Sequence, residues 1–180
     1  IRRVRVLGFK HDDLVNTGVY GGSHTKASIS FEFLDFMTGD TYMPMNASNT
    51  NSGGWASTKL RTDLNGSGSS IGGLGANLNN KSYIKQVKKK YIPTYNVAST
   101  STCNDYLWLL AASEIVARNS TSALYGLAIT SEGSRYRYYQ LENPVHNQEN
   151  TILMKKSTNS GVGEIWWLRS PYATNNSCLL

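Results

Sequence analysis

Three histidines, His11, His24 and His146, and two cysteines, Cys103 and Cys178, are the side chains of this sequence best suited to metal binding or nucleophilic chemistry. Their spacing assembles no site. The histidines are scattered, and no carboxylate–histidine–nucleophile arrangement recurs around them. The cysteines lie 75 positions apart and neither sits in a C-x-x-C pair, so zinc and thioredoxin-like chemistry have no support. A disulfide and two buried free thiols both stay open. His11-Asp12-Asp13 has ligand-type side chains, but a metal needs more ligands nearby, and Gly18, Gly21 and Gly22 make a loop turn the stronger reading. No metal and no cofactor are expected.

The remaining chemistry is recognition. Aromatic faces beside amide and hydroxyl groups suit sugar rings, whose apolar faces stack while their hydroxyls need partners. Trp166, Trp167, Arg169, Tyr172, Asn175 and Asn176 form one such group near the end of the chain, and Tyr136, Tyr138 and Tyr139 a second. The plain alternatives are core packing for the tryptophans and a loop-holding structural role for Arg169.

Composition agrees with a polar, folded surface. The 180 residues include 17 Asn, 21 Ser and 15 Thr, together 53, whereas charged residues are only 17%, below the usual share of about 25%. Asn, Ser and Tyr make adaptable contacts of the paratope kind. No run of about 18 apolar residues exists, so no membrane insertion is expected. No sustained heptad points to a coiled coil. With 11 Tyr, 4 Trp and 4 Phe there is enough large apolar surface to argue against disorder. The net charge of +6 is concentrated in Arg2, Arg3 and Arg5 and in Lys81, Lys85, Lys88, Lys89 and Lys90. Tyr83 and Tyr91 flank these lysines, but no nucleic-acid module accompanies them, so a solvated basic face is the reading and nucleic acid is not expected as a partner.

The elements that must carry these residues follow from periodicity. Residues 2–10 alternate, with Val4 and Val6 on one face and Arg3, Arg5 and Leu7 on the other, and predict a strand. Ile29, Phe31 and Phe33 predict a second. The run Asn46 to Ser52 is rich in cap and turn formers, and after Gly53-Gly54 a short amphipathic helix starts near Trp55, with Leu60 and Leu64 four apart, ending at Asn65-Gly66. Leu78 onward predicts a short helix running into a basic strand, Val87 to Ile92. Asn96 to Asn104 reads as a polar loop, Tyr106 to Leu110 as a buried strand and Ala111 to Val116 as a helix. Trp166 and Trp167, adjacent on a strand, face opposite sides, one entering the core and one covering a loop or cleft. No repeat or linker divides the chain, so residues 1–180 are expected to form one domain. The strand-like start at Ile1 and the apolar end at Leu179-Leu180 are read as those of an excerpt from a longer chain.

Three blocks together carry a resemblance: Met45 to Trp55 (M-N-A-S-N-T-N-S-G-G-W) with Leu60-Arg61 and Leu64-Asn65; Leu107-Trp108-Leu109-Leu110 with Ser113-Glu114-Ile115-Val116; and Trp166-Trp167-Leu168-Arg169-Ser170-Pro171. Val6 to Asp13 and Tyr136 to Tyr139 add to it. The chain resembles, over nearly its whole length, an uncharacterised domain family of gut and Gram-positive bacterial surface proteins and phage structural proteins. More distantly, it is similar to the C-type-lectin-like fold of formylglycine-generating enzymes and phage tropism determinants, with Ser113-Glu114 at a turn typical of that fold. The resemblance implies an α+β architecture, short helices around a twisted, mainly antiparallel sheet. It also implies a final strand beyond Leu180 that this chain lacks.

The function so implied is a non-catalytic binding domain displayed on a phage particle (tail fibre, tail tip or capsid decoration) or on a bacterial surface. Its partners would be a host cell-surface glycan or protein and other virion or surface-protein subunits, with a homotrimer as the family-level expectation. The alternative is a purely structural virion domain without a host ligand. A formylglycine-generating enzyme ranks third, because Cys103 and Cys178 do not sit in the context of a copper-binding pair. Calcium-type sugar binding would use a carboxylate–proline–asparagine group, and Glu142-Asn143-Pro144 has those residues in another order.

Overall fold

The computed structural model describes residues 3–18, 23–34, 44–66, 81–94, 97, 99–116, 132–143, 155–156, 163–164 and 166–171. These residues form a mixed α/β structure of few short helices and small antiparallel sheets. No helix among them is long and apolar enough to cross a membrane.

Strand β1 (Val4–Phe9) pairs antiparallel with β2 (Ile29–Phe33), Val4 opposite Phe33 and Phe9 opposite Ile29, with a register shift between Val6 and Gly8. Both strands stand where the alternation predicts them. The apolar face, however, turns outward: Val4 is 50%, Ile29 49% and Phe31 45% exposed, while Ser30 and Glu32 are buried. The reason is a polar anchor beneath the hairpin. Arg5 Nε donates to Glu32 Oε1 at 2.7 Å, and its Nη1 to the Tyr138 hydroxyl at 3.0 Å. The Tyr139 hydroxyl donates to the same carboxylate at 2.7 Å. The Arg5 guanidinium also lies 4.3 Å from the centre of the Tyr138 ring. The bulge re-aims the chain so that Leu7 still enters the core.

A single 3-10 turn (Trp55–Ser57) leads into α1 (Lys59–Asn65). Thr58 caps α1, its hydroxyl accepting from Arg61 N at 3.1 Å and donating to Trp55 O at 2.9 Å. Thr58→Ala is therefore expected to destabilise the fold by about 1 kcal/mol, read as a shift of the urea midpoint at unchanged m-value. An unmoved midpoint would show the cap to be idle. Leu60 and Leu64 form the buried face of α1. The preceding Gly54 has φ of 56°, and a Cβ there would lie 2.1 Å from Ile92 O. Only glycine permits this approach of the loop to the end of the next strand.

Strand β3 (Val87–Tyr91) pairs antiparallel with β4 (Ser101–Asp105). This corrects two expectations: the strand lies in the polar stretch, and Tyr106–Leu110 is irregular. Inward-facing Cys103 and Asp105 have buried partners, so a polar strand is stable there. Tyr106 and Leu107 donate their N–H groups to Asn65 Oδ1 at 2.9 and 3.0 Å, so a side chain holds this stretch in place of a ladder. The basic cluster is also divided: Lys88 and Lys90 are exposed, but Lys89 points inward and is 3% exposed.

Helix α2 (Ala112–Ile115) stands where predicted, with Glu114 Oε2 accepting from Ala111 N at 3.0 Å. Helix α3 (Arg137–Glu142) ends at Asn143 in the left-handed conformation, φ 44°. It packs against β1. A short ladder pairs β5 (Lys155–Lys156) with β6 (Gly163–Glu164). The larger apolar cluster gathers Leu7, Leu110, Ile115, Tyr136, Tyr139, Trp166 and Leu168. A second, around Trp55, Leu60, Leu64 and Cys103, carries Trp108 and Trp167 on its flank.

Candidate ligand-binding cavity

The loop before α1 bends over the segment that follows Trp166 and leaves a cavity of about 300 Å³ between them. Residues 44–51, with Gly54, Trp55 and Thr58, line one side, and Trp167, Arg169 and Pro171 the other. The loop is built by its own side chains. Asn46 Nδ2 donates to Thr50 O at 2.8 Å, while Asn46 Oδ1 accepts from Lys59 N at 3.1 Å, tying the loop to the first turn of α1. Leu60 N donates to Met45 O at 3.1 Å and Gly54 N to Asn51 O at 2.9 Å. Ser48 and Asn49 are left exposed on the rim, and Trp167 is half-buried across from them. The wall is thus an indole facing amides and hydroxyls held by hydrogen bonds.

Below the cavity lies a buried charged network. Arg169, 1% exposed, donates from Nε to Lys90 O at 2.9 Å, from Nη1 to Leu109 O at 2.6 Å and Glu114 Oε2 at 2.8 Å, and from Nη2 to Glu132 O at 3.0 Å. Glu114 Oε1 accepts from Lys89 Nζ at 2.6 Å, and Lys89 also donates to Asp12 Oδ1 at 2.7 Å. Burial opposes ionisation of Glu114, but Arg169 and Lys89 outweigh it and hold its carboxyl down to about 2. Glu132 accepts from Ile92 N at 3.2 Å and from the Ser170 hydroxyl. Burial dominates there and pushes its carboxyl up to about 7. Beside this network Asp105 accepts from Trp55 Nε1 and Arg61 Nε, both at 2.7 Å.

A profile of the domain of unknown function DUF6273 matches residues 36–179. The chain belongs to the DUF6273 family. No curated protein and no solved structure matches it. The DUF6273 match takes in both walls of the cavity, together with Lys89, Glu114, Glu132 and Arg169. The β1–β2 hairpin precedes the match, yet it and the residues just after β1 supply Asp12, Ser30 and Glu32 to the buried polar groups of the DUF6273 domain.

Of the residues the sequence singles out, the structure places Trp167 and Arg169 at the cavity. Trp166 faces away from Trp167 into the larger core cluster, as adjacent positions in an extended segment require. Tyr136 and Tyr139 are fully buried in the same cluster, and Tyr138 packs on it beneath Arg5. Burial gives Tyr136 and Tyr139 structural partners in place of a ligand-facing surface, whereas Tyr138 is only partly buried. Tyr172, Asn175, Asn176, His146, Pro144 and Cys178 lie outside the described residues. His11, Asp12 and Asp13 diverge: the His11 ring stacks on Tyr136 at 4.0 Å, Asp12 meets Lys89, and Asp13 pairs with Lys26 at 2.7 Å. Among the described residues no group of three His, Cys, Asp or Glu side chains could hold a metal. The Cys103 thiol is free and buried, and burial together with Asp105 pushes it up to about 12, far from a reactive thiolate at neutral pH.

Sequence reasoning missed the cavity's other wall. The run Asn46 to Ser52 reads in the sequence as cap and turn formers ahead of α1, and nothing in it names Trp167 as the side chain it meets. Asp12, read as part of a loop turn, and Lys89, read as part of a solvated face, are both buried, and Glu132 is not singled out in the sequence. For Lys89 a signal was present, since Val87, Lys89 and Tyr91 share one face by period two.

Proposed function

We propose that this DUF6273 domain is a non-catalytic ligand-binding module of C-type-lectin-like architecture, carried on a phage particle or bacterial surface and recognising a host glycan or protein. The observation that carries this reading is the cavity itself, in which the Trp167 indole faces an Asn-, Ser- and Thr-rich loop. An indole offers a flat apolar surface to a sugar ring face, and amides and hydroxyls exchange hydrogen bonds with its hydroxyl groups. Hydrogen bonds fix the loop in advance, which lowers the ordering cost of binding. Short helices beside antiparallel strands support the architecture. The elevated Cys103 thiol supports a role without thiolate chemistry.

The test is a glycan array together with adsorption of the purified protein to candidate host cells. Trp167→Ala and Asn49→Ala, each checked for retained fold by circular dichroism, are expected to weaken binding at least tenfold, about 1.4 kcal/mol. Silence of the parent protein in both assays, or full binding by both variants, would replace this reading with a structural role in the particle.

A further inference from the structure

We propose that Lys89 and Asp12 condense into an intramolecular amide cross-link, with Glu114 relaying a proton. Lys89 Nζ lies 2.7 Å from Asp12 Oδ1, 2.6 Å from Glu114 Oε1 and 3.1 Å from the Tyr136 hydroxyl. The rings of Trp108 and Tyr136 stand over the same nitrogen at 4.8 and 5.4 Å. All three reacting side chains are buried, which keeps bulk water from competing. The inference is independent of any ligand in the cavity.

The backbone holds the two partners against each other. The segment after β1 runs along β3: Leu14 bridges Val87, Lys88 N donates to Asp13 O at 2.8 Å, and Val15 N to Gln86 O at 3.0 Å. Asp12 itself is pinned by Ala27 N donating to its carbonyl at 2.8 Å. Amine and carboxyl are thus fixed in one pocket, the condition under which intramolecular reactions reach effective molarities of about 10⁵–10⁸ M.

The two oxygens of Asp12 are treated differently, and the difference matches what the reaction needs. Oδ2 accepts from the Tyr136 hydroxyl at 2.8 Å and from the Ser30 hydroxyl, whereas Oδ1 faces the ammonium. The Lys89 ammonium passes one proton to Asp12 Oδ1, 2.7 Å away, and the freed lone pair attacks Cγ of the resulting neutral carboxyl. The C–N bond forms while negative charge gathers on Oδ2, where the two hydroxyls stabilise it. Glu114 Oε1 relays the second proton from the cationic nitrogen of the adduct to Oδ1 as the tetrahedral centre collapses. Both protons end on Oδ1, which departs as water when its C–O bond breaks, and Glu114 returns to its ionised form. One ammonium and one carboxylate become one neutral amide and one water, with no oxidant and no co-reactant.

Electrostatics favours the product. The ion pair it removes is buried, and buried ion pairs carry a desolvation cost. The remaining Glu114 stays paired with Arg169 at 2.8 Å, so no charge is stranded. The bond would staple the segment after β1, which lies outside the DUF6273 match, onto β3 of the matched domain.

The test is the intact mass of the purified, denatured protein. The expected mass is one water, about 18 Da, below that of the sequence, and a tryptic digest should contain a branched peptide joining residues 11–26 to the segment that holds Lys89. Lys89→Arg keeps the charge but cannot form this amide, and should restore the sequence mass. A parent protein at the sequence mass overturns the proposal. So does a water loss that persists in Lys89→Arg, since it would arise elsewhere. The branched peptide of the unaltered protein decides the matter even where the variant folds poorly.

Discussion

Arg169→Met is expected to destabilise the fold by about 3–5 kcal/mol, enough to leave much of the protein unfolded at 25 °C if its total stability is near the lower end of the usual range of about 5–15 kcal/mol. The side chain is a hub. Its guanidinium makes four hydrogen bonds, to the end of β3 (Lys90 O), the segment before α2 (Leu109 O), α2 itself (Glu114) and the turn before α3 (Glu132 O). Its backbone N–H also donates to Leu110 O at 3.1 Å. Methionine would fill much of the volume but leave three carbonyls and one carboxylate without this partner in a region closed to water. Arg169→Lys should rescue little, because an ammonium cannot reproduce the planar fork that reaches four groups at once. Urea unfolding followed by near-ultraviolet circular dichroism measures both variants. A loss below about 1 kcal/mol in Arg169→Met would show the hub to be dispensable.

The second large effect is on pH dependence. Burial raises the Glu132 carboxyl from its ordinary value near 4.5 to about 7. The folded state therefore binds this proton more tightly than the unfolded chain does. The associated stability is complete below pH 4.5 and is lost as pH rises to about 7, with no further change above. Over that window the loss amounts to about 3 kcal/mol. Glu114 acts in the opposite sense: held down to about 2 by Arg169 and Lys89 against its burial, it contributes stability that disappears as pH falls from 4.5 towards 2. Together these two groups place the optimum near pH 4–5. Glu132→Gln should abolish the decline between pH 4.5 and 7 and leave the variant more stable than the parent at pH 8. The glutamine carbonyl still accepts from Ile92 N, and Ser170 Oγ can accept from its amide. Urea midpoints taken at intervals from pH 4 to 8 carry the comparison. Parallel curves for parent and variant would remove Glu132 as the titrating group.

Much of the secondary structure was legible because its causes are local. The spacing of Ile29, Phe31 and Phe33 marks β2, and the cap formers before Leu60 and Leu64 mark α1. Strand β4 was not legible. Ser101-Thr102-Cys103-Asn104-Asp105 has no apolar alternation, and Asp105 is stable inside only because Trp55 and Arg61, 50 and 44 positions away, meet its carboxylate. The direction of the β1–β2 hairpin was hidden for the same reason: Glu32 turns inward because Tyr139, 107 positions away, waits there with Arg5.

The candidate site divides along the same line. Trp167 and Arg169 stand out by type and by their place in W-W-L-R-S-P, and the sequence by itself determined that amide-rich loops would accompany them. The tertiary structure alone decided that the loop before α1 faces Trp167, that Tyr136 and Tyr139 belong to the core, and that Lys89 is buried against Asp12. Hydrophobic period and capping act over a few neighbouring residues and can be read along the chain. A buried charge is tolerated only where a partner meets it within hydrogen-bond distance, and for Lys89 that partner stands 77 positions away in sequence and 2.7 Å away in space.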